Sequence, residues 1–312
     1  MIIQKNLFLF FLLFFFIFED LNSIENKILL KVNNNIITTI DVLNEINYLN
    51  VVNVNFKNFE KNKIFEIAKD SLIRQKIKEE EISKYTDNLS INEEYLEEII
   101  ESIYKDLNIN NFEDFTKYLN KFNLEIEYLK NKISTDIIWN NLILTKFLDK
   151  VKIDENKIKS DLKKNISKTS FEYSLSEIIF NIPFNSSLEE KLLSIENDIK
   201  EKGFESAALI HSISSTSSKN GGKIGWINED SLNPDIKKIL AGLNKEDYTK
   251  PLIVPGGFLI LKINDVKIVK NENIDINKKF EEIVNTKKNE QLNNYSNIYF
   301  NKIQKEYIIN EK

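Results

Sequence analysis

Short hydrophobic stretches at helical spacing dominate the first half of the chain, and short apolar runs at strand spacing begin only near residue 170. Residues 28–32 are β-rich, Asn33-Asn34-Asn35 forms a tight-turn signal, and Ile36-Ile37 resumes a strand. Thr38 followed three positions later by Asp41 is a capping-box variant, which predicts a helix over residues 41–49. Over residues 59–82, Ile64, Ile67, Ala68 and Leu72 share one helical face, and Glu79-Glu80-Glu81 is expected to be solvated. A third helix starts at Asn92 and carries Leu96, Ile99, Ile100, Ile103 and Leu107 at helical spacing. Helices over 112–122 and from Glu125 through Trp139 to Phe147 complete a helical region that contains no glycine.

Beyond it, residues 154–170 are polar and predict a short helix plus connector. Then strands are expected over 173–180, 223–227 and 258–263, the last with Leu259, Leu261 and Ile263 on one face. Between them lie a helix over 188–210, a serine-rich loop over 212–222 and a short helix over 234–240. The final segment, 277–309, predicts a long helix with an apolar stripe of Leu292, Tyr295, Tyr299 and Ile303. Such a stripe has to bury against something, and the helical N-terminal region is the natural partner.

The expected fold class is therefore α+β. A helical N-terminal domain (24–150) is completed by the C-terminal helix (277–309), and a compact α+β domain (171–268) is inserted as a satellite after a connector (151–170). On this reading the inserted domain is dispensable for core stability.

Composition narrows the function. With 42% hydrophobic and 29% charged residues in 312, a packed core is expected rather than disorder. A net charge of -5 argues against nucleic acid, which needs a basic face. The chain has no cysteine and one histidine, His211, so disulfides, thiolate chemistry, a Ser-His-Asp triad and a histidine- or cysteine-ligated metal site are all excluded. His211 is expected to serve the end of its helix as a cation favourable to the dipole. At the N-terminus, Lys5 precedes an apolar run from Leu7 to Phe18, then Glu19, Asp20 and Ser23. That is the pattern of a secretory signal peptide (1–23), since the run is short for a ~30 Å hydrocarbon core. An uncleaved inner-membrane anchor is the alternative.

The only glycine-rich stretches carry a motif. Leu175-Ser176-Glu177-Ile178-Ile179-Phe180, then Gly221-Gly222-Lys223-Ile224-Gly225-Trp226-Ile227, Leu232-Asn233-Pro234-Asp235-Ile236, Pro251-Leu252-Ile253 and Gly256-Gly257-Phe258-Leu259-Ile260-Leu261-Lys262-Ile263 together resemble a parvulin-type prolyl-isomerase domain. The N-terminal hairpin with Thr38-Thr39-Ile40-Asp41-Val42, the helix at Ser71-Leu72-Ile73 and the Trp139 helix resemble the N-terminal domain of SurA-type periplasmic chaperones, which carry two parvulin domains where this chain has room for one.

The resemblance implies no cofactor and no nucleotide. In active parvulins a histidine on the first strand and one on the last lie beneath the site, joined by a Cys or Asp from the loop between. Here those positions are Glu177, Leu259 and about Ser215. Leu232 and Ile236 stand where the family holds the prolyl ring, and Phe258 is added to that substrate-binding set. Without the resemblance, Glu177 reads as a strand-edge carboxylate exposed to water, the serines as flexible loop, Leu259 as core and Trp226 as packing.

The resemblance thus implies a periplasmic chaperone for unfolded outer-membrane polypeptides, with transient contact to the outer-membrane assembly machinery and weak or no isomerase activity. Clients would lie in an aromatic-lined cleft between the N-terminal helices and the C-terminal helix. A working prolyl isomerase and a membrane-tethered foldase are the alternatives.

Overall fold

The computed structural model describes residues 26–53, 56–85, 91–165, 169–182, 187–214, 217–255, 257–270 and 275–311; the predicted signal segment lies outside them. The described chain opens with a hairpin, β1 (Ile28–Val32) and β2 (Asn35–Thr38), whose turn residue Asn33 has φ 51°. The hairpin leads into helix α1 (Thr39–Val52) through the predicted cap: Thr38 Oγ1 accepts from the Asp41 amide at 3.3 Å and the Asp41 carboxylate accepts from the Thr38 amide at 2.7 Å. Helices α2 (Lys61–Ser83), α3 (Glu93–Asp106), α4 (Phe112–Asn120) and α5 (Ile126–Phe147) follow.

Their apolar stripes meet in one core, with Leu49, Phe56, Phe115, Leu129 and Trp139 almost wholly removed from water. Helix α10 (Ile276–Ile303) lies on this core and closes it. The Trp139 indole is sandwiched there: its ring stacks on Tyr299 at 5.9 Å, meets Phe300 edge-on at 6.1 Å, and its N–H donates to Ser296 Oγ at 2.8 Å. Phe147 stacks on Tyr295 at 5.0 Å. At Trp139 the seam between α5 and α10, where a client cleft was expected, is packed rather than open.

Several expectations need correction. The C-terminal helix stops at Ile303 rather than 309; after a 3-10 turn, β7 (Ile309–Glu311) pairs antiparallel with β1, giving the order β2-β1-β7. The Glu79–Glu81 run is not a solvated face. Glu80 accepts from the side-chain Nδ2 groups of Asn33 and Asn35 at 2.8 and 2.7 Å, fixing the hairpin turn, and Glu81 is buried against Lys84 and Tyr299. The connector contains α6 (Glu155–Asn165), whose Ile158 and Leu162 bury against Ile283 of α10. Gln291 of α10 clamps the Lys152 backbone from both sides, accepting from its N–H at 3.0 Å and donating to its C=O at 2.8 Å.

The second unit is a four-stranded antiparallel sheet, order β4-β3-β6-β5, of β3 (Thr169–Phe180), β4 (Lys223–Asn228), β5 (Leu252–Val254) and β6 (Gly257–Lys270). Strands β3 and β6 are longer than predicted and pair along twelve positions. The single helix expected at 188–210 is two, α7 (Leu188–Lys202) and α8 (Phe204–His211), because Gly203 turns the chain with φ +85°. A short helix, α9 (Pro234–Leu240), covers the other face of the sheet.

This unit is not a free satellite. Leu209 and Ile210 of α8 pack on the helical core, Arg74 of α2 donates to the Ile213 carbonyl at 3.2 Å, and Lys279 of α10 pairs with Asp230 at 2.5 Å.

Candidate functional site

Strand β3 is central in its sheet, so each of its faces meets a different layer. Tyr173, Leu175, Glu177 and Ile179 alternate onto one face, together with Leu259, Leu261 and Ile263 of β6. Leu232 and Ile236, just before and within α9, pack onto that same face. Ile178, Phe180 and Ile260 point the other way, against Ile195, Phe204 and Ala208 of α7 and α8.

Four of the expected site residues thus come together: Glu177, Leu259, Leu232 and Ile236. Phe258 does not. It lies on the opposite face, stacked on Phe180 at 5.5 Å, because it is one residue out of phase with Leu259 along a period-2 strand. Ser215 lies outside the described residues.

Glu177 is not a strand-edge group. Its backbone N–H donates to the Gly222 carbonyl at 2.7 Å on one side, and its Cα partner on the other is Leu261. Gly222 has φ +83°, and a Cβ there would stand 2.4 Å from the Glu177 carbonyl oxygen, so the glycine pair is what lets the loop close onto β3. The carboxylate is half-buried and accepts from Ser217 Oγ at 2.6 Å and Ser214 Oγ at 3.1 Å.

The described serines of this loop are held rather than loose: Ser212, Ser214 and Ser217 are all buried, and the Ile213 N–H donates to the Ile179 carbonyl at 2.7 Å. Burial pushes the Glu177 carboxyl above its ordinary range; the two serine hydroxyls act against that shift, and the charge of Glu290 on α10 adds to it. Leu259, 8% exposed, contributes only apolar surface beside it.

The sign of this shift fixes a prediction. A carboxyl raised in the folded state is destabilising when ionised, so stability rises as pH falls through its folded value and levels off at its unfolded value. Glu177→Gln is expected to flatten that dependence from the ordinary carboxylate range upward. Thermal melts of both proteins over that range check it; an unchanged slope in the Gln protein rules it out.

His211 is placed differently from expectation. It ends α8, is 8% exposed, and its ring lies between Asp198 (Nε2 to Oδ2, 2.8 Å) and Lys191 (Nδ1 to Nζ, 3.1 Å). Burial, reinforced by the Lys191 charge and opposed by Asp198, lowers it to about 4. It is neutral at pH 7, so it is not a cation at a helix end, and its helix covers the face of the sheet opposite Glu177. Trp226 is 47% exposed, with the Lys267 amine 4.3 Å above its ring, rather than packed inside. No cluster of metal-ligating side chains occurs among the described residues, and none of their helices is long and apolar enough to cross a membrane.

Two cavities line the junction of the units. One, of about 90 Å³, has a mixed wall, with Asp70, Arg74, Asp136 and Ser212 beside Ile67, Leu209 and Phe300. The other, of about 400 Å³, lies between α6, α10 and the turn before α9. Neither was legible in the sequence, since their walls come from segments far apart in the chain.

Comparison with known proteins places this geometry. The rotamase family, the PPIC-type PPIASE domain, matches residues 184–265, so the α+β unit is a parvulin-type domain. The chain is 24% identical to the chaperone SurA of Pseudomonas putida over 162 residues, 49% of this chain and 38% of that protein. It is 31% identical to the periplasmic chaperone PpiD of Haemophilus influenzae over 75 residues, 24% of this chain and 12% of that one. It thus spans well under half the length of these relatives. Among solved structures, one of two structurally related SurA-like chaperones of Campylobacter jejuni aligns over 92% of this chain and 99% of its own, at 17% identity and a TM-score of 0.35.

Proposed function

We propose that this protein is a periplasmic chaperone that holds unfolded polypeptides bound for the outer membrane. Within it, the parvulin-type domain seats prolyl segments with weak or no isomerase turnover. The observation that carries this reading is the state of one sheet face: Leu232 and Ile236 still form an apolar seat over Ile179 and Leu259, while the two histidine positions hold Glu177 and Leu259.

An X-Pro bond turns over a barrier of ~18–20 kcal/mol. Lowering it requires a site that binds the twisted amide better than the planar one. An apolar seat binds both alike. Leu259 can neither donate nor accept a hydrogen bond, and Glu177 commits one carboxylate oxygen, Oε1, to Ser214 and Ser217. Periplasmic placement draws support from the PpiD relative and from the apolar run at Leu7–Phe18. No nucleotide or cofactor enters this scheme, so capture and release would rest on modest affinity.

A prolyl-peptide assay tests the reading. Turnover is expected to fall ~10²- to 10⁴-fold below that of a histidine-bearing parvulin, while the purified protein still suppresses aggregation of an unfolded outer-membrane protein. Ordinary parvulin turnover would sink the proposal. The second reading, a working isomerase, has one observation in its favour: Glu177 with Ser214 and Ser217 is a protonatable network at the place where the family works. Glu177→Gln separates the two, since it would abolish any turnover that network supports and leave aggregation suppression intact.

A further inference from the structure

We propose that the cavity between α6, α10 and the Glu229–Ser231 turn is a second seat for client polypeptide, taking a bulky apolar side chain next to the segment held at Leu232 and Ile236; this rests on the chaperone reading above. At about 400 Å³ the cavity has the size of a ligand pocket rather than a packing defect. Its floor is apolar, formed by Ile158 and Leu162 of α6 and Ile283 of α10, all buried. Ile276, at the start of α10, lines its wall while 46% exposed, so apolar surface there is open to an incoming group.

The rim distinguishes a peptide from a purely greasy ligand. Glu229 and Asp230 are already neutralised, by Lys237 at 3.1 and 3.5 Å and by Lys279 at 2.5 Å, and Asp154 is engaged as a cap for the Lys157 amide. The side-chain amines of Lys152 and Lys157 have no ion pair among the described residues. Asp161 is the remaining acid on the rim. Two uncommitted amines over an apolar floor suit the carbonyls or carboxylates of a polypeptide whose side chain enters below.

Continuity selects the occupant. Leu232 packs in the prolyl seat and also lines this cavity, so the two are neighbours sharing a wall. An extended chain places alternate side chains on one side. A strand-forming segment with apolar residues at alternate positions and one proline can therefore fill both seats at once. A single aromatic residue or a free amino acid would reach only one.

The test uses the whole protein and a fluorescein-labelled peptide of alternating Tyr and Thr with one central Pro. Anisotropy is expected to show saturable binding that Ile276→Trp, which fills the cavity from its exposed wall, weakens at least ~10-fold, a change that anisotropy resolves readily. A benzophenone placed two residues from the proline is expected to crosslink to Ile153, Ile276 or Ile283 in the unaltered protein, which keeps the outcome readable if Ile276→Trp folds poorly. Wild-type binding that survives Ile276→Trp, with crosslinks elsewhere, overturns the cavity and leaves the chaperone reading standing. Failure of the wild-type protein to bind the peptide, together with failure to suppress aggregation, removes that reading and the cavity with it.

Discussion

A chain ended at Asp275 is expected to show no cooperative unfolding of the helical unit and to aggregate on purification. Helix α10 supplies Phe300 and Ile303 to the core and covers Trp139, and Tyr307 follows it. Each large apolar side chain withdrawn from water contributes about 1.5–3 kcal/mol. Losing the burial of these four costs about 6–12 kcal/mol, comparable with the ~5–15 kcal/mol that separates most folded domains from their unfolded state. Loss of β7 leaves β1 with an open edge as well. Circular dichroism melts and gel filtration check the outcome, and a sharp melt at the full-length temperature would refute it. Ser296→Ala is the graded version: it strands the buried Trp139 N–H, at a cost of about 1–3 kcal/mol, without removing the helix.

The second large effect concerns a charge buried under α1. Glu45 and Lys132 meet at 2.6 Å with both side chains almost wholly buried. Tyr128 donates to the same carboxylate at 2.6 Å and Ser71 at 2.5 Å, while Lys132 also donates to Gln75 at 2.6 Å. Lys132→Met is expected to cost about 3–5 kcal/mol, because it leaves an uncompensated carboxylate inside. Replacing both partners with methionine is expected to recover most of that loss.

Burial opposes the Glu45 charge, but the Lys132 charge and the three hydrogen bonds outweigh it and hold the carboxyl below its ordinary range. A depressed carboxyl gives stability that is complete above its unfolded value and lost as pH falls through its folded one. Lys132→Met is therefore expected to shrink the acid-side loss. Urea titrations of the two single variants and the double variant, at neutral and acid pH, measure both effects; additive losses in the double variant would show that the pair is not coupled.

What the sequence disclosed and what it hid follow from range. Thr38 and Asp41 act within one turn, so their cap was legible, as was the stripe that puts Tyr299 and Ile303 on the core. The loop glycines were legible because few residues tolerate the backbone they adopt. Burial of charge was not. Glu81 and Glu177 look like surface carboxylates until Tyr299, Ser214 and Ser217, brought from elsewhere, supply their donors. Phe258 was misassigned by a single step of strand phase, and the short helix expected at α6 gave no sign of its burial, because Ile158 and Leu162 find Ile283 only across the fold.

Strand β7 carries a consequence for the order of folding. Leu30 pairs with Glu311, so the first and last described strands are bound in one sheet, with the parvulin-type domain lying between them in sequence. That domain closes through β3–β6 pairing within itself and can form as soon as it has been made. The helical unit cannot: closing so long a loop is slow, and its core stays open until the final strand arrives. Throughout its own synthesis the protein exposes an unfinished apolar surface, and so begins life as the kind of polypeptide it is proposed to hold.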